Sequence, residues 1–128
     1  MKKIPYGISN YEELITKNCY YVDKTKFIEK IDNNDPALMY LRPRRFGKTL
    51  FTSMMYYYYD INSKDKFDTL FKDTYIYTHQ TEYNNSYYVL RLDFSGMSAI
   101  DSNNLNDMKY RYKNCVLSAL TEFKRFRN

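Results

Sequence analysis

Cysteine and histidine are scarce: Cys19, Cys115 and His79 are the only ones in 128 residues. They stand too far apart for the paired-ligand spacing of a structural zinc site, which excludes that class. The two thiols read as small buried side chains in a reducing compartment, with a Cys–His catalytic pair as the lesser alternative. No apolar run reaches the roughly 18 residues of a membrane span. Met1-Lys2-Lys3 leads into Ile4-Pro5-Tyr6-Gly7 and not into an apolar signal core, so no membrane role and a cytoplasmic location are expected. Internal repeats and low-complexity segments are also missing. Hydrophobic residues at 44% and charged residues at 27% exclude a disordered tail or a fibrous chain. A chain of this length is expected to form one domain.

Tyrosine is plentiful, with sixteen residues. Together with many Asn, Lys and Ile residues this matches the output of AT-rich codons, so the abundance by itself assigns no function. Lys and Arg exceed Asp and Glu by 20 to 15, and the net charge of +5 favours a polyanionic ligand without naming one.

Asn10 and Ser9 each precede an acidic residue at capping-box spacing, which predicts a short helix over about Tyr11–Lys17. Cys19-Tyr20-Tyr21-Val22 reads as extended. Asp23 then caps a helix carrying Phe27, Ile28 and Ile31 on one face and stopped by Asp32-Asn33-Asn34-Asp35-Pro36. Ala37–Leu41 is a short apolar run, the pattern of a strand buried in a parallel sheet. Leu50, Phe51, Met54, Met55 and Tyr58 then recur at helical spacing, and the run Tyr56-Tyr57-Tyr58-Tyr59 places rings all around that helix, some buried and some wet. Phe67–Phe71 predicts another helical piece, followed by a polar surface connection. Tyr87–Phe94 is rich in β-formers and predicts a second strand. Leu105–Arg125 predicts a long helix whose Leu105, Met108, Tyr112, Val116, Leu120 and Phe123 form one buried face.

The segment Arg42-Pro43-Arg44-Arg45-Phe46-Gly47-Lys48-Thr49 lies between the first predicted strand and a helix, where a phosphate-binding loop must lie. Such a loop curls backbone N–H groups around phosphate at a helix N-terminus, where the helix dipole also favours anions. Gly47 permits close backbone approach, Lys48 reaches the β- and γ-phosphates, and the Thr49 hydroxyl is placed to ligate Mg²⁺. The consensus asks for an earlier glycine where Arg42 stands. The N–H groups from Arg45 onward are intact, and with Arg44 and Leu50 they complete the expected cradle for ATP.

Three segments carry a resemblance: Lys3–Asn10, Tyr20–Thr25 and Leu41–Leu50. In that order and spacing the chain resembles the AAA-ATPase-like domain family, P-loop ATPases often joined to a PD-(D/E)xK nuclease-like domain. Within that family the Arg-Pro-Arg-Arg-Phe-Gly-Lys-Ser/Thr form is usual, so Arg42 ceases to be an anomaly. The resemblance implies an α/β fold, a three-layer parallel sheet of the P-loop NTPase type with flanking helices. It also implies that residues 1–128 are the N-terminal portion of that domain, incomplete at the C-terminus. It places the element Tyr21-Val22-Asp23-Lys24 close to the adenine, adding Val22 and Asp23 to the expected nucleotide-binding residues.

Hydrolysis needs an acid on a neighbouring strand to hold Mg²⁺ and a second residue to orient water. Asp93 is the available acid, but Arg91 interrupts its strand and no Glu follows. The expected module therefore binds ATP and Mg²⁺ and hydrolyses weakly or not at all alone. Its incomplete sheet would favour pairing with another chain, a possible oligomer. Glu122-Phe123-Lys124 has the Glu-x-Lys spacing of a nuclease core but lies on a helical periodicity. The alternative function is a non-enzymatic nucleic-acid-binding module. It would use Arg42, Arg44 and Arg45 with a basic last helix bearing Lys109, Arg111, Lys113, Lys124, Arg125 and Arg127.

Overall fold

The computed structural model describes residues 1–34, 39, 41, 43, 46–94 and 105–125. The chain divides into a unit of Met1–Tyr87 and a unit of Tyr88–Asn128.

The first unit opens with α1, Tyr11–Thr16, started by Asn10, whose side chain accepts a 3.0 Å hydrogen bond from the Glu13 amide. This supplies a partner to one of the N–H groups that a helix start leaves open. Helix α2, Phe27–Asp32, is shorter at its start than Asp23 capping would give. Asp23 instead accepts from the Thr25 amide at 2.8 Å, forming a turn that precedes the helix. Helix α3, Lys48–Tyr59, is the longest of this unit and leads through a 3₁₀ helix, Ile61–Lys66, into α4, Phe67–Phe71, and then α5, Tyr75–Thr78.

The core is aromatic and helical. Tyr11, Tyr58, Phe71, Ile28, Met54 and Ile76 are fully buried where α1 and α4 pack and α3 joins them. Tyr11 is held at both ends: its amide donates to Ser53 Oγ at 3.0 Å and its hydroxyl to the Leu70 carbonyl at 2.9 Å. Of the tyrosine run, Tyr57 and Tyr58 are buried while Tyr56 and Tyr59 are half-buried, as their spread around α3 requires. The connection after α5 is tied inward, since buried Asn85 donates to the Tyr57 and Asp60 carbonyls.

The expected three-layer parallel sheet is not found: among the described residues there is no strand. Two isolated parallel bridges, Lys3 with Cys19 and Asp60 with Tyr87, are the only sheet-like pairings described. A strand exists through ladders on its edges, and neither bridge propagates. In the first predicted strand, Ala37, Leu38 and Tyr40 lie outside the described residues, and Met39 and Leu41 are exposed and irregular. Val89 to Phe94 is irregular too, with Leu90, Leu92 and Phe94 exposed. A run of β-formers supplies the propensity for a strand but not the neighbour it must pair with. In the first unit, helix-on-helix contacts bury the apolar surface that the sheet was expected to bury.

In the second unit, α6 covers Leu105–Arg125, the range its periodicity predicts. No residue of α6 is buried, contrary to the expected covered face. Its stripe is met only in part: Phe94 stacks on Tyr112 with ring centres 5.6 Å apart, and Tyr88 meets Phe123 edge-on. The Cys115 thiol donates to the Asp93 carbonyl at 2.9 Å. Among the described residues, no helix is long and apolar enough to cross a membrane.

Candidate functional site

A hollow of about 370 Å³ opens in the first unit, within the range of small-molecule sites. Leu14 from α1 and Phe51 from α3, both buried, contribute from the core side. Tyr20, Tyr21, Val22 and Lys24 come from the segment between α1 and α2. Phe46, Gly47 and Leu50 come from the start of α3, and Pro5 completes the lining. Val22 and Phe46 are 77% and 60% exposed, so they form rim and not floor.

The backbone of Gly47 explains why a glycine stands there. Its φ of +71° and ψ of 25° are left-handed, a conformation that costs other residues a clash between Cβ and the backbone. From it the chain turns directly into α3, whose first i to i+4 hydrogen bond runs from the Phe51 amide to the Gly47 carbonyl at 2.9 Å. No side chain caps α3, and its first turn has no acidic residue. Lys48 and Thr49 stand exposed on that first turn. Neither Lys48 nor Thr49 is among the described residues lining the hollow.

Of the other expected residues, Arg42, Arg44 and Arg45 lie outside the described residues. Asp23 is not among the residues lining the hollow. One of its oxygens accepts from Thr25 and the other from the Tyr75 amide at 2.7 Å, fastening α5 to the turn before α2. Tyr21, on the same segment, has its phenol pushed up to about 12, chiefly by burial. It donates to Met54 Sδ at 3.3 Å, so it belongs to the core as well as to the hollow. Among the described residues no three His, Cys, Asp or Glu side chains converge as metal ligands.

Sequence reasoning did not single out Pro5, Leu14, Tyr20 or Phe51 as lining residues, and it left Lys24 without a role of its own. Leu14 and Phe51 carry the same apolar signal whether they face a core or a hollow. Lys24 was signalled only by following Asp23 in the element ahead of the loop.

A family model described as predicted AAA-ATPase matches residues 5–127. No curated protein matches the chain, and neither does any solved structure.

Proposed function

The chain belongs to the predicted AAA-ATPase family, and from that premise we propose that it is an ATP-binding module. The observation that carries this reading is the convergence on one hollow of the Tyr21-Val22-Lys24 segment and the Phe46-Gly47-Leu50 start of α3. The two segments are separated in sequence by α2 and by residues 33–45. The hollow offers apolar and aromatic surface of a size suited to a base and sugar. The uncapped start of α3 offers backbone N–H groups and the positive end of a helix dipole to phosphates. Lys48 adds a charge there, and Phe46, next to Gly47, brings its backbone to the same place. Thr49 is the residue to hold Mg²⁺, which when bound neutralises phosphate charge. Asp93 is followed by Phe94 and Ser95 and not by a Glu, so the reading is of binding with little turnover.

Titration of a fluorescent ATP analogue tests this directly. Lys48→Ala should abolish binding, whereas Arg111→Ala, on α6, should leave it unchanged. Equal affinities in the two variants would remove the phosphate-loop reading. DNA binding that falls steeply with salt and is indifferent to ATP would favour the nucleic-acid module in its place. With Mg²⁺ and ATP, phosphate release should stay near background. Release that Lys48→Ala eliminates would sink the claim of little turnover.

A further inference from the structure

Resting on the nucleotide reading above, we propose that Lys24 is a second cation for the phosphate chain, acting beside Lys48. Its position comes from Gly47: a Cβ built there would meet Lys24 Nζ at 3.7 Å, so the ammonium lies against the backbone from which α3 starts. It is also the one charged residue among the described residues lining the hollow. Lys24 is half-buried, yet among the described residues its ammonium has no ion-pair partner. The adjacent carboxylate, Asp23, is engaged by the Thr25 and Tyr75 amides.

An ammonium placed against backbone, with no counter-charge among the described residues, is left to pair with an anion from outside the chain. Here no acid in the first turn of α3 supplies the pairing, and the helix dipole presents the same sign as the ammonium. Two positive sources facing one glycine call for an anion between them. Lysine suits phosphate as a compact point charge on a flexible stem, able to follow oxygens whose positions differ with chain length. The ligand class is therefore a nucleoside polyphosphate, and Lys24 acts on its phosphates and not on its base.

The test uses the full chain as wild type, Lys24→Gln and Lys24→Arg. Ribose-labelled fluorescent ATP is titrated directly, and unlabelled adenosine is added as competitor. Lys24→Gln should weaken labelled ATP about tenfold or more, the loss of one charge-assisted contact, with adenosine competition constants unchanged. Lys24→Arg, which keeps the charge, should recover most of the ATP affinity. Far-UV circular dichroism and the thermal midpoint of Lys24→Gln should match wild type, because no ion pair among the described residues is lost. An unchanged ATP affinity in Lys24→Gln, an equal loss for ATP and adenosine, or a collapse of the fold would each overturn the assignment. Failure of wild type to bind ATP would instead overturn the nucleotide reading on which it rests, so the two failures are told apart.

Discussion

Gly47 and Gly7 hold nearly the same left-handed backbone, φ of +71° and +69°, in different surroundings. A Cβ on Gly7 would meet nothing within 4 Å, and one on Gly47 would meet Lys24 Nζ at an ordinary contact distance. Alanine at either site should therefore cost only the conformational penalty of φ, about 1–2 kcal/mol, read as a shift in urea midpoint. Gly47→Ala alone should also weaken ATP, because a methyl group would stand between Lys24 and the start of α3. Equal ATP affinity in the two variants would place the phosphates elsewhere. The place of Gly47 at the start of α3 was legible in the sequence because its signal is local: one glycine, one cation and one hydroxyl in succession ahead of a helical spacing. The contribution of Pro5 or Leu14 was not, since it depends on contacts between segments distant in sequence.

Helix α1 is fastened by a small polar cluster at its N-terminal end. Glu12 accepts from Lys66 at 2.7 Å and from the Tyr57 hydroxyl at 2.8 Å. The Lys66 bond holds the Glu12 carboxyl below its ordinary value of 4.5. A carboxylate depressed in the folded state contributes stability present above that ordinary value and lost as pH falls through the folded one. The stability gap between wild type and Glu12→Gln should accordingly close as urea titrations move from pH 6 toward pH 3. Both partners are partly exposed, so the gap should stay below about 1 kcal/mol. A gap that widens toward low pH would refute the pairing. The limits of α4 and α6 could be read from sequence because helical spacing and breakers act within a few residues. The sheet could not be tested in that way. Ala37–Leu41 and Tyr87–Phe94 have strand composition, but a strand needs a partner ladder that composition does not encode, and apart from the single bridge at Tyr87 the described parts of both segments are irregular. The apolar stripe of α6 likewise fixed a helix without fixing what covers it.

Two units share the chain unequally. The aromatic core and every described residue lining the hollow lie within Met1–Tyr87. A fragment of residues 1–87 should therefore retain a cooperative thermal transition and the ATP affinity of the full chain. Loss of either would make residues 88–128 part of the site or of its support. The tyrosines that build this core set a chemical limit as well. Burial drives the phenol of Tyr11 far up, and burial together with the 2.6 Å hydrogen bond to Asp32 does the same to Tyr59. An acid whose folded value is raised gives stability that is present below its unfolded value, here 10.0, and is lost as pH rises beyond it. In alkali these rings should stay protonated while the fold lasts and ionise as it opens. Phenolate absorbance from the core should thus rise together with the loss of helical dichroism, making alkaline denaturation a readout of the interior itself.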